Sequence, residues 1–210
     1  MELLNYPITS FLVAITVLVS VVAMNNTSLK YKYVFFPYRM RREKEHYRLI
    51  SHAFLHGDYL HLFFNMFVLF HFGRIIELLL VQKNGLLVGS IQYVLLYFLG
   101  IVAAAIWPFV RHQNNPAYMS LGASGAVASV LFAVIIWLPD APLYLLFIPF
   151  EIKAWVFGLL YLGFEYYQSK RDGQTGIAHD AHFGGAIFGI VYILWVDIDI
   201  GKAFIHYIFN

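Results

Sequence analysis

Six long apolar runs constrain this chain more than any other feature. They lie near residues 8–24, 59–81, 86–109, 120–138, 150–167 and 182–208, each roughly 17–25 residues, the length an α-helix needs to cross bilayer hydrocarbon. Backbone N–H and C=O groups in hydrocarbon must be satisfied within the segment, so such runs read as helices. The expected fold class is therefore all-α, a polytopic membrane bundle of six transmembrane helices. Composition agrees, with 60% hydrophobic and 12% charged residues and a mean hydropathy of +0.68, well above a soluble domain. The formal net charge of +2 carries no nucleic-acid footprint. The absence of cysteine excludes disulfides, thiolate catalysis and cysteine-bound zinc, but not metal held by histidine.

The first run, Pro7 to Met24, follows no Lys or Arg and precedes no small-x-small cleavage site, so it reads as a retained span rather than a signal peptide. A long first loop, about 25–57, is aromatic and basic, with Lys30, Lys32, Arg39, Arg41, Arg42, Lys44 and Arg48. It suits either the headgroup layer or open solvent. Pro149, Glu151 and Lys153 place part of 139–153 at the interface. No tandem repeat or separate soluble domain interrupts the chain, which reads as one membrane domain over 1–210.

Polar groups inside apolar spans are costly and therefore better functional candidates than polar groups on loops. Three clusters qualify. Ser51 to Asn65 holds His52, His56, His61 and Asn65, the last two one helical turn apart at the start of the second span. Gly122-Ala-Ser-Gly125 opens the fourth span, and His179-Asp-Ala-His-Phe-Gly-Gly185 opens the sixth. These spans are separated by even numbers of crossings, so their starting ends share one side of the membrane. Asn65, Ser124 and His182 can therefore meet, whereas Lys153, the other conceivable base, starts the fifth span on the opposite side.

His182, Gly185 and Gly189 fall at i, i+3 and i+7 on one face, and the glycines permit a close helix approach. A sixth span packed tightly on the fourth would bring an imidazole to Ser124, as a serine nucleophile requires. His61, Asn65 and the unpaired first amides of the fourth helix could then donate to an oxyanion. Asp180, two residues from His182, faces another way. His46, His71, His112 and His206 read as interfacial or loop histidines. Alone, Gly-x-Ser-Gly is more often a packing motif than a nucleophile site, and a membrane histidine is often only a helix–helix hydrogen bonder.

Taken together, His-x-x-x-Asn in the second span, Gly-x-Ser-Gly at the fourth and Ala-His-x-x-Gly at the sixth resemble the rhomboid intramembrane serine proteases. The resemblance runs from about Tyr47 to Gly189. It implies a rhomboid-like core in which Ser124 is the nucleophile and His182 the general base, a dyad without a carboxylate. It also implies that His61 and Asn65, with Gly122, shape the oxyanion hole, and that His52, His56, Gly125, Gly185 and Gly189 support the site. Glu77 matches a structural hydrogen-bonding position. Tyr47-Arg48 stands where many members have Trp-Arg. Ala128 stands where many have a tyrosine beneath the histidine, which leaves open what holds the His182 ring.

The resemblance implies an endopeptidase whose substrates are transmembrane protein segments in a lipid bilayer, with no metal, no organic cofactor and no nucleic-acid partner. Substrate identity and oligomeric state are not legible. The implied location is a cell (inner) membrane, the active site facing the non-cytoplasmic side. Two rivals are a zinc-dependent membrane hydrolase using His52, His56 and His179 or His182, and a non-catalytic relative that binds membrane clients. The first lacks His-Glu-x-x-His and any obvious acidic ligand, and the second is disfavoured because serine and histidine are both present.

Overall fold

The structure, a computed structural model, describes residues 7–144, 150–171 and 177–210, so Pro149 lies outside the described residues. The six apolar runs form α1 (Pro7–Met24), α5 (Tyr59–Asn84), α6 (Leu86–His112), α7 (Ser124–Trp137), α8 (Ala154–Ser169) and α9 (His179–Val196). Between the first two, the loop folds into α2 (Thr27–Tyr33), α3 (Pro37–Glu43), α4 (Arg48–Ser51) and a 3₁₀ turn at His52–Phe54. A small antiparallel hairpin, β1 (Pro142–Tyr144) with β2 (Glu151–Lys153), precedes α8.

Among the described residues four helices, α1, α5, α6 and α9, are long and apolar enough to cross a membrane. The central α7 has 14 residues, about 21 Å of helix against about 30 Å of hydrocarbon. It can be short because twelve of its residues are buried by neighbouring helices, so protein rather than lipid surrounds it. The end run differs from a single long span. It breaks at Asp197, whose side chain caps the following helix α10 (Ile198–Phe209) by accepting from Asp199 N at 2.8 Å. A capped restart is favoured there because a carboxylate at a helix N-terminus satisfies an amide with no intrahelical partner.

Small residues decide how α7 and α9 meet. A Cβ on Gly185 would lie 2.8 Å from the Gly125 carbonyl carbon, and one on Gly189 would lie 2.9 Å from that of Ser129. Backbone therefore packs on backbone, and the buried Ser129 hydroxyl reaches Gly185 O across the seam at 2.9 Å. Gly100 of α6 completes the seam, since a Cβ there would meet Ser129 Oγ at 2.7 Å. Close approach of this kind substitutes for the hydrophobic drive that lipid-soluble helices lack.

Two charged side chains tie the periphery. Glu77 of α5 accepts from the first amides of α1, Ile8 N at 3.1 Å and Thr9 N at 2.9 Å, and from the Thr9 hydroxyl at 2.6 Å. One carboxylate thus caps another helix from the side. Arg48 differs from the other basic loop residues in being fully buried. It donates to Glu45 at 2.7 Å and to the carbonyls of Tyr31 and Val34 at 2.9 and 2.8 Å, so it holds the loop together from inside rather than meeting headgroups.

Candidate active site

Ser124 is the first residue of α7, and Gly122 shapes the turn that presents it. Gly122 has φ +126°, a conformation that favours glycine, and a Cβ there would lie 2.8 Å from the His61 ring and 3.8 Å from Ser124 Oγ. The imidazole of His61 therefore borders the serine hydroxyl across Gly122. Asn65, one turn below on α5, is buried and donates Nδ2 to His61 O at 3.0 Å, which leaves that nitrogen a second hydrogen. The first amides of α7 add further donors with no intrahelical partner.

The turn is held from below by two histidines. Gly122 N donates to His52 O at 3.0 Å, and Ala123 N donates to His56 Nε2 at 3.5 Å. Because His56 Nε2 accepts, its proton sits on Nδ1 and goes to Ser20 Oγ at 2.8 Å, and Ser20 in turn donates to Phe54 O at 2.8 Å. A neutral His56 imidazole is required in this arrangement, since a second N–H on that ring would oppose that of Ala123. His52, Gly122 and Ser124 also line a cavity of about 30 Å³, room for a single water.

Burial lowers the pKa of His52 to about 4, and burial with the adjacent His61 lowers that of His56 to about 3. Unfolded, each would titrate near 6.5, so below that pH the unfolded chain binds more protons. The stability they contribute is complete above about 6.5 and is lost as pH falls toward about 4, at about 1.4 kcal/mol per unit for each ring. Thermal unfolding of the detergent-solubilised protein is expected to be flat from pH 7.5 to 6.5 and to drop steeply by pH 4.5. An unfolding temperature unchanged over that range would contradict these protonation states.

His182 lies at the same end of the α7–α9 seam as Ser124, each just before the glycine that makes the contact, Gly185 and Gly125. Among the described residues no hydrogen bond joins Ser124 Oγ to His182. The contact His182 does make was not expected: Nδ1 lies 3.1 Å from Glu165 Oε1, while His179 Nδ1 lies 2.6 Å from Glu165 Oε2. The expected dyad without a carboxylate is corrected on this point. Glu165 is buried on α8, whose C-terminal end meets the start of α9. One signal could have found it, the one carboxylate in the apolar stretch that becomes α8, which the cost of burying charge marks as functional.

Ala128 is explained by the same arrangement. It is buried among Phe132, Leu131, Ile135 and Ala186, with Tyr161 of α8 packed against that group. Residues of α8 pack against the Ala128 cluster, and the His182 ring makes its contact with Glu165. His52 and His56 do not join His179 and His182, which removes the zinc cluster as first composed. Lys153 is held at the far end by Asp140 at 2.8 Å and the Tyr207 hydroxyl at 3.0 Å. Asp180 points to the end of α6, 3.9 Å from His112 Nε2.

A family model described as Rhomboid domain matches residues 43–197. Among curated proteins, the chain is 33% identical to "RHOMBOID-like protein 12, mitochondrial" of Arabidopsis thaliana over 73% of its own length and 47% of the relative's. It is 31% identical to "Presenilin-associated rhomboid-like protein A, mitochondrial" of Danio rerio, over 69% and 36%. It is 29% identical to "Rhomboid protease GlpG" of Haemophilus influenzae, over 75% and 73%. The chain thus spans about half or less of the first two relatives. The expected cell-membrane location is overturned by the mitochondrial names of the first two of these relatives. The physical reason for the error is that apolar spans report hydrocarbon thickness, which does not distinguish one organelle's bilayer from another; the multi-pass membrane character stands.

Proposed function

The chain belongs to the rhomboid family, and from that premise we propose that it is an intramembrane serine endopeptidase acting on transmembrane segments of other proteins. The observation that carries the proposal is the joint placement of Ser124 at the start of α7 and of His182, oriented through Nδ1, at the same end of the α7–α9 seam. Glu165 accepts the Nδ1 proton, so Nε2 carries the lone pair that takes the proton of Ser124 as its oxygen attacks the scissile carbonyl. Hydrogen bonds of this kind are often made only when substrate arrives. His61, the second Asn65 hydrogen and the Ser124 amide stabilise the oxyanion, and the imidazolium then donates its proton to the leaving amine. No metal or organic cofactor takes part. A helical substrate must unwind locally, because its carbonyls are otherwise engaged in its own hydrogen bonds. The names of the relatives favour a mitochondrial membrane.

A fluorophosphonate probe is expected to label the purified full chain at Ser124, with and without chelator. Absence of labelling, or chelator inhibition that zinc restores, would replace this reading with a non-catalytic relative or a metallohydrolase.

Glu165→Gln is expected to lower kcat by up to about 10⁴-fold, the loss seen when a triad histidine loses the carboxylate that fixes its tautomer, with KM little changed. Glutamine is nearly isosteric, so the fold is kept. A kcat within threefold of the parent would make Glu165 structural only.

Asn65→Ala and His61→Ala are each expected to lower kcat by roughly 10²- to 10³-fold, as loss of one oxyanion donor does, with a smaller effect on KM. Near-normal turnover in both variants would remove them from the site.

A further inference from the structure

Glu165, His179 and His182 offer one carboxylate oxygen and two ring nitrogens, all within 4.8 Å of one another. The three side chains are 6%, 7% and 15% exposed, and both histidines turn Nδ1 toward the carboxylate. Two nitrogens and one oxygen are the donor set of an open tetrahedral zinc site, whose ligand atoms sit about 2.0–2.2 Å from the ion. The two histidines are three apart on α9 and face α8, so small rotations of three side chains close the ring. Among the described residues this is the one cluster with that geometry.

We propose that this cluster is a divalent transition-metal site, for which zinc is the natural occupant, and that its occupation switches the protease off. The inhibitory half rests on the serine-protease reading. In the metal-free state each imidazole carries its proton on Nδ1, donated to Glu165, and His182 Nε2 holds a lone pair. Zinc bound at Nδ1 takes that position, and the proton moves to Nε2 through solvent with no net release. His182 Nε2 is then a donor and has no lone pair with which to accept the proton of Ser124. Glu165, drawn onto the ion, no longer orients the ring. Inhibition is thus a change of tautomer at one nitrogen, and chelation reverses it.

The test uses the full chain in detergent. Cobalt(II) is expected to bind stoichiometrically with the intense visible bands of a four-coordinate ion, and zinc is expected to displace it. Saturating zinc is expected to slow fluorophosphonate labelling of Ser124 by about 10²-fold or more, the contribution of a general base, with recovery on chelation. In His179→Ala and in Glu165→Gln the cobalt spectrum is expected to vanish. Labelling, compared with each variant's own zinc-free rate, should no longer respond to zinc. Failure of the parent chain to bind cobalt overturns the site whatever the labelling shows, and this measurement needs no variant to fold. Cobalt bands that persist in both variants place the metal elsewhere and also overturn it. Stoichiometric cobalt binding with no labelling under any condition would end the protease reading and the inhibitory role while leaving the metal site itself. Labelling unaffected at saturating zinc would overturn the switch alone.

Discussion

Ser124→Ala and His182→Ala are each expected to reduce cleavage of a model transmembrane substrate to background, a loss on the order of 10⁴- to 10⁶-fold, and the double variant to be no worse than either. In the proposed mechanism nucleophile and base act as one unit: without His182 the hydroxyl keeps its proton, and without Ser124 the base has nothing to activate. Neither change should unfold the protein. Both residues sit at the mouth of the seam, half-buried, and the contacts that join α7 to α9 lie below them. The measurement is cleavage of a reconstituted substrate beside a thermal unfolding curve. Full activity in Ser124→Ala, with fold intact, would assign the chemistry to another group.

Gly185→Val is expected to damage both fold and activity. Its branched side chain would project into the Gly125 carbonyl, with backbone rather than a flexible side chain in the way. Overpacking usually costs about 1–3 kcal/mol. Here the Ser129 bridge to Gly185 O is strained as well, so a fall in unfolding temperature on the order of 10 °C is expected. Because α9 carries His182 and α7 carries Ser124, separation of the helices also parts the reacting groups. Gly163→Ala is the contrasting variant: nothing lies within 4 Å of a Cβ there. It is expected to be neutral or to stabilise α8 by a few tenths of a kcal/mol up to about 1, as Gly→Ala in an open helix does. Equal behaviour of the two variants would show that the seam does not govern this fold.

Much of this was legible along the chain. Apolar runs identified the helices because hydrocarbon permits little else, and parity alone placed Asn65, Ser124 and His182 on one side. The i, i+3, i+7 spacing of His182, Gly185 and Gly189 named the face of α9 that meets α7. Run length misled at two places, since it measures hydrophobicity and not enclosure. Residues 182–208 divide at Asp197 into a span and a capped helix, and α7 is shorter than its apolar run because protein, not lipid, surrounds it. Arg48 counted as one more basic loop residue, though three hydrogen-bonding partners bury it.

Glu165 marks the division between sequence and structure. Sequence order determined that a carboxylate lay inside the apolar run of α8, and parity put the end of that helix on the side where α9 begins. Periodicity along one helix says nothing of which neighbour a face meets. Only the packing of α8 against α9 set the carboxylate between His179 and His182, where it faces Nδ1 of each ring. The proposed nucleophile and base could be named from local motifs, because each motif is written in consecutive residues. The group that orients the base came from a different helix, and three-dimensional packing alone decides such a meeting.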